Sequence, residues 1–184
     1  MVKFCLIIVL FFVSCETIKS KKLDDGITKI PVDKLFFHKN YRYKYHVVLS
    51  KVIDTNSVYI ESFYLDSKGE LFSTKKGFNS FLNGLKFYGN GCLNNFVINK
   101  DSLLNLPELN PLRTGFRGIS YIKKKDTVIE IIAPIDENYN LGKKQYYLKV
   151  RTDTLFLEEK QTSLKYIYVR HKLNDNNTKY KADW

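Results

Sequence analysis

The stretch Tyr146-Tyr-Leu-Lys-Val-Arg-Thr-Asp-Thr-Leu-Phe-Leu-Glu-Glu159 decides the fold class. Over 146–151 one face of an extended chain carries Tyr146, Leu148 and Val150, and the other carries Lys149 and Arg151. Successive side chains of a strand point to opposite faces, so this period of two predicts a half-buried β-strand. Thr152-Asp153 interrupts the run, and Thr154 opens a second one over 154–159. Asp caps turns through its own carboxylate, and β-branched Thr suits a first strand position. The segment predicts a hairpin.

The same unit recurs upstream. Tyr121-Ile-Lys-Lys-Lys-Asp-Thr-Val-Ile129 is like Leu148-Lys-Val-Arg-Thr-Asp-Thr-Leu-Phe156, and a third Asp-Thr pair stands at 54–55. Alternation of Tyr, Val and Leu with polar residues predicts further strands over 43–50 and 164–170. Others are expected at 57–65, 70–73, 85–89, 92–98, 116–123 and 127–133. Asp66-Ser-Lys-Gly69 and Asn90-Gly91 supply turns, the latter suited to positive φ at both central residues. Helix signals are few: Phe78, Phe81, Leu82 and Leu85 predict a short helix over 77–84. Asp101 would cap one turn over 101–106, ended by Pro107. The expected fold is all-β: about ten antiparallel strands in a hairpin-built barrel or sandwich of the lipocalin-like kind, with one or two short helical turns.

The N-terminus carries an address. Lys3 precedes an unbroken apolar run, Phe4 to Val13, followed by Ser14 and Cys15. Ten apolar residues are too few for a bilayer core, which needs roughly 20, so the run reads as the h-region of a secretory leader. Phe12-Val13-Ser14-Cys15 resembles the lipobox of bacterial lipoproteins, with Phe12 standing where Leu is commonest. The resemblance covers about one tenth of the chain. It implies removal of 1–14, acylation of Cys15 and a location at the bacterial outer membrane. Residues 15–38, mostly polar with Gly26 and Pro31, are then expected to be a flexible tether. Residues 39–173 would form a single β domain, and 174–184 a frayed polar tail in which Trp184 is an incidental end.

Cysteine usage agrees with this address. Cys5 leaves with the leader and Cys15 is acylated, so Cys92 stands alone and is read as a small buried hydrophobe rather than a reactive thiol.

The formal charge of +11 falls to +10 when Lys3 is lost. Only five of the 30 basic residues are Arg, which weighs against built phosphate recognition. Lys, Asn, Tyr, Phe and Ile share AT-rich codons, so compositional drift accounts for much of the basicity. Nucleic acid is excluded as a partner by the address. Membrane contact through the lipid anchor, an envelope protein, or an anionic glycan or lipid remain as expected partners. Lys123, Lys124, Lys125, Lys143, Lys144 and Arg151 fall in or beside the turns of the repeated hairpins and are the expected anionic-ligand patch.

No catalytic pattern is present. His38, His46 and His171 form no zinc spacing, and no serine elbow, P-loop or dinucleotide-binding glycine motif occurs. No cofactor and no metal ligand is expected. Glu158 and Glu159 would point to opposite faces of a strand and could not share a glycosidase-like site. The expected function is a non-enzymatic envelope module holding a small apolar ligand in a Tyr/Phe-lined cup, or an anionic glycan or lipid. The alternative is an accessory subunit of an outer-membrane complex.

Overall fold

The computed structural model describes residues 18–32, 52–74, 80–103, 106–182 and 184. The leader, Cys15, His38, His46 and the strand expected over 43–50 lie outside the described residues. In chain order the strands are β1 (Ser20–Lys22), β2 (Lys29–Pro31), β3 (Ser57–Leu65), β4 (Leu71–Ser73), β5 (Phe81–Phe87) and β6 (Cys92–Asn99). They continue with β7 (Phe116–Lys123), β8 (Asp126–Pro134), β9 (Leu141–Arg151), β10 (Thr154–Glu159) and β11 (Lys165–Lys172).

The hairpin read from sequence is β9–β10, running from Arg151↔Thr154 to Tyr146↔Glu159. Each neighbouring pair is antiparallel, in the order β11-β10-β9-β8-β7-β6-β5-β3. β11 returns to pair with β3 from Lys172↔Ser57 to Lys165↔Leu65, and this last pairing closes an eight-stranded barrel. The short β4 adds to the outer half of β3. β1 and β2 form a separate two-stranded sheet lying against β7 and β8. The barrel alternative is therefore the correct one.

Cross-strand neighbours share a face, which makes the inner face legible. Tyr59, Leu85, Leu93, Ile129, Leu148, Leu155 and Tyr168 pack inside as one apolar cluster, with Ile53 from the preceding segment. That segment is held down by Asp54, whose backbone N–H donates to the Tyr59 hydroxyl at 3.0 Å and whose carboxylate pairs with Arg170 at 3.5 Å.

The outer face of β5–β8 is also buried, and this corrects two expectations. The tail expected to fray at 174–184 is packed. Ala182 and Trp184 bury with Tyr88, Cys92, Ile119 and Val128, and the Trp184 indole donates to the Gly118 carbonyl at 2.9 Å. Asn177 joins it to the loops: its amide oxygen accepts from Leu109 N–H at 2.8 Å, and its Nδ2 donates to Pro107 O at 3.1 Å. The buried Asn177 satisfies backbone groups of the loops, while Asn174, Asp175, Asn176, Lys179 and Lys181 face water. Likewise, part of the expected tether folds: Leu23, Thr28 and Ile30 are buried, and Asp25 caps the β1–β2 turn by accepting from Thr28 N–H at 2.8 Å.

The expected helix over 77–84 is also corrected, since Phe81–Phe87 is strand β5; residues 77–79 lie outside the described residues. Leu85 and Phe87 enter the barrel while Leu82 packs on its outer face. Burial on both faces erases the period of two that marks a half-buried strand. Gly84 belongs there for space: a Cβ would lie 2.5 Å from Ile98 Cδ1. The turn expected over 101–106 is a 3₁₀ turn, Lys100–Ser102, capped by Asn99 rather than Asp101.

Among the Asp-Thr pairs, only Asp54 caps its own turn, accepting from Asn56 N–H at 2.8 Å. Asp153 instead pairs with Arg170 at 2.7 Å, and Asp126 opens β8. At Asn90-Gly91 only Gly91 takes a positive φ, of 87°.

Candidate functional site

The two ends of the barrel differ. At one end Ile53 is buried in the inner cluster; at the other the inner face becomes aromatic and acidic. Between Glu61 and Phe63 the register of β3 against β11 shifts. This bulge keeps Glu61 opposite Tyr168 and brings Tyr64 opposite Tyr166, so both β3 residues face inward. Tyr64 stacks on Phe72 of β4 with ring centroids 5.1 Å apart. Tyr166 meets Tyr146 of β9 edge to face at 6.1 Å. The result is a row of four aromatic rings, Phe72–Tyr64–Tyr166–Tyr146, around part of the mouth. On the side of β5 and β6, Val97 stands opposite Asn83 and is 51% exposed, so the mouth is open there.

Two carboxylates sit within this ring. Glu61 is 7% exposed; its Oε2 accepts from Asn83 Nδ2 at 2.7 Å and from the Tyr168 hydroxyl at 3.5 Å. Glu159 is 8% exposed, lies opposite Tyr146, and accepts from the Thr162 hydroxyl at 2.6 Å. Burial holds the Glu61 carboxyl above the usual carboxylate range, opposed by the Asn83 and Tyr168 hydrogen bonds. Burial, reinforced by the charges of Glu159 and Glu61, pushes Tyr166 up to about 12. The same causes raise Tyr146, and burial with Glu61 raises Tyr168 further. One step deeper, the Asn95 Oδ1 is buried without a donor among the described residues. Asn95 lies opposite Leu85, which faces the barrel interior.

A third buried carboxylate supplies the contrast. Glu130, on the covered outer face, is neutralised by Lys143 Nζ at 2.9 Å and receives Gln145 Nε2 at 2.7 Å. Among the described residues neither Glu61 nor Glu159 has such an ion pair. A buried carboxylate needs a compensating partner or a shifted ionisation.

The structure separates the expected cationic patch. Lys123 pairs with Asp126, Lys124 and Lys125 form the β7–β8 turn, and Arg151 begins the β9–β10 turn at the same end of the barrel. Lys143 and Lys144 stand opposite Ile132 and Ile131, toward the other end. Lys143 is engaged by Glu130, and Lys144 shares the inner face at the acidic mouth. Arg151 lies over the Phe156 ring at 5.7 Å. Six cations adjacent in the reading of turns thus fall into two groups.

Cys92 is buried, its thiol donating to the Trp184 carbonyl at 3.3 Å. β3 and β5 lie between it and His171 on β11. Clefts on the outer surface include one of about 330 Å³ beside Lys86 and Tyr180 and one of about 310 Å³ across Tyr147, Phe156 and Ile167. Lys86 was not singled out from sequence. It is buried, donates from Nζ to Thr55 O at 2.8 Å, and burial pushes it down to about 8.

The mouth residues Glu61 and Asn83 also escaped the sequence reading. The available signal was a lone acid inside the β-run Ser57–Leu65, where a carboxylate on an inward position is expensive.

No family model and no curated protein matches the chain. Among solved structures, the chain is similar to a lipocalin-like protein from Bacteroides uniformis ATCC 8492, with 18% sequence identity. The match covers 64% of this chain and 98% of that one, with a TM-score of 0.41. The barrel assignment rests on the strand register itself.

Proposed function

We propose that this protein is a small-molecule-binding barrel of the bacterial envelope, tethered through acylated Cys15, whose ligand places a flat apolar body on the aromatic row of the mouth. One observation carries the reading: two ring pairs, Phe72 with Tyr64 and Tyr166 with Tyr146, are joined by the cross-strand pairing of Tyr64 with Tyr166 on the inner face, beside a solvent-accessible rim. Ligand sites are concave and mainly apolar, with a few converging polar groups. Aromatic rings add offset or edge contacts beyond their buried area.

The test uses N-phenyl-1-naphthylamine, whose fluorescence rises on entering an apolar site. The wild-type protein is expected to bind it, and Tyr166→Ala with Phe72→Ala to lose that binding while keeping its β circular dichroism. A doubly substituted protein binding the dye as before overturns the mouth as the site. For the tether, Cys15→Ser is expected to move the protein to the soluble fraction and abolish fatty-acid labelling. A variant that remains membrane-bound would overturn the anchor.

A further inference from the structure

We infer that the ligand of this mouth carries a protonated amine on its aromatic or apolar body, and that the ammonium group is received by Glu61 and Glu159 against the rings of Tyr146 and Tyr166. This rests on the mouth being a binding site, and names the chemistry that the site selects.

Four observations lead to it. The first is the absence of a neutralising cation: two carboxylates more than nine-tenths buried have only amide, phenol and hydroxyl partners among the described residues. The same molecule shows at Glu130 what a structurally neutralised buried carboxylate looks like, with Lys143 at 2.9 Å. The second is proximity. Glu159 stands opposite Tyr146, Tyr146 meets Tyr166 edge to face at 6.1 Å, and Glu61 lies opposite Tyr168, two residues along β11 from Tyr166. The third is the aromatic lining, whose negative ring faces attract ammonium groups and provide a recurrent recognition device for amines. The fourth is the donor set. No group of three or more His, Cys, Asp or Glu that could hold a metal ion occurs among the described residues. Two carboxylates ringed by phenols suit an ammonium, with its three N–H donors and modest hydration cost, better than a bare metal ion.

Charge also argues for an organic cation over an anion. The chain is strongly basic, yet the acids of the mouth face inward, and Lys144 is a basic residue placed on the inner face at that rim by its register opposite Ile131. An anionic ligand would meet two carboxylates that have no ion pair among the described residues. A neutral ligand would leave them uncompensated, whereas an amine satisfies them.

Three probes of matched shape decide the point: 2-phenylethylamine, 2-phenylethanol and 3-phenylpropanoate, titrated at neutral pH into the full chain and followed by tyrosine side-chain NMR shifts. The amine is expected to bind at least about tenfold more tightly than the alcohol, with the carboxylate weakest. Alcohol binding equal to amine binding overturns the amine inference and leaves the mouth as a ligand site. If none of the three binds and N-phenyl-1-naphthylamine does not bind, the underlying reading falls as well. In a Glu61→Gln, Glu159→Gln protein with unchanged circular dichroism, amine affinity should drop to that of the alcohol while alcohol affinity holds. A preference that survives both substitutions defeats the assignment.

Discussion

Glu61 on the inner wall of β3 and Lys86 on the outer wall of β5 are the two residues whose ionisation should dominate stability. Among the described residues Glu61 has neutral hydrogen-bond partners, and its carboxyl is raised by burial. As pH rises, the unfolded carboxyl ionises first while the folded one holds its proton. Stability therefore falls from the unfolded value near 4.5 up through the raised folded value, and the loss persists above it. Glu61→Gln keeps an acceptor for Asn83 and is expected to raise Tm at pH 7. The rise should be roughly 2–4 °C for each kcal/mol recovered in a chain of this size. A lower Tm in calorimetry would show that hydrogen bonding to the charged form outweighs its burial. Lys86 works in the opposite sense, its folded value being about 8 against 10.5. Between these values the unfolded chain holds more protons, so stability rises with pH across that window. Above pH 10 the buried tyrosines reverse the trend: Tyr59, Tyr88, Tyr146, Tyr166 and Tyr168 keep their protons when folded and lose them when unfolded. Urea unfolding from pH 7.5 to 10 should show the rise in the wild type and a flatter profile in Lys86→Met. An equal slope in both would assign the rise to other groups.

At the scale of elements, legibility followed the number of buried faces. The repeated hairpins β7–β8 and β9–β10 were read close to their limits because Tyr121-Ile-Lys-Lys-Lys and Tyr146-Tyr-Leu-Lys-Val each break at a polar turn. Strand β5 was misread because Leu82 and Leu85 are buried on opposite walls, and their spacing mimics a helix. The C-terminal segment was misread for the converse reason: its apolar residues are too few to form a pattern, yet Ala182 and Trp184 fill a cluster made by other strands. Trp184 lies edge to face with Tyr88 at 6.1 Å, and Arg117 covers its ring at 4.8 Å. Trp184→Ala is expected to cost about 3–5 kcal/mol in denaturant unfolding; a loss within experimental error would mean that the tail is only loosely laid on β7. Gly118→Ala tests the same contact from below. Its Cβ would meet the Glu130 carbonyl at 2.6 Å and Leu93 Cδ1 at 2.8 Å, so a clear loss of stability is expected rather than the gain usual in exposed strands.

Across the whole molecule, charge is distributed by surface: basic outside, acidic within the mouth. The cations expected to form one patch stand at both ends of the barrel, Lys123–Lys125 with Arg151 at one and Lys143 with the inward-facing Lys144 at the other. Retention on an acidic polysaccharide at low salt should therefore fall by similar steps when either group is changed to Gln. A loss confined to Lys123, Lys124 and Lys125 would restore the single patch read from the turns. By itself the sequence determined that the chain is all-β, hairpin-built and antiparallel, because a period of two and polar turns are local properties of adjacent residues. It also contains the contiguous motif Phe12-Val13-Ser14-Cys15, which resembles a lipobox. Barrel closure was decided only by the tertiary structure, since β11 meets β3 across most of the chain and no local pattern records that pairing. The mouth was decided in the same way. Glu61, Asn83, Tyr146, Glu159, Tyr166 and Tyr168 come from five separate strands. Whether a carboxylate is solvated, neutralised or left awaiting a ligand depends on which side chains the closed sheet brings beside it.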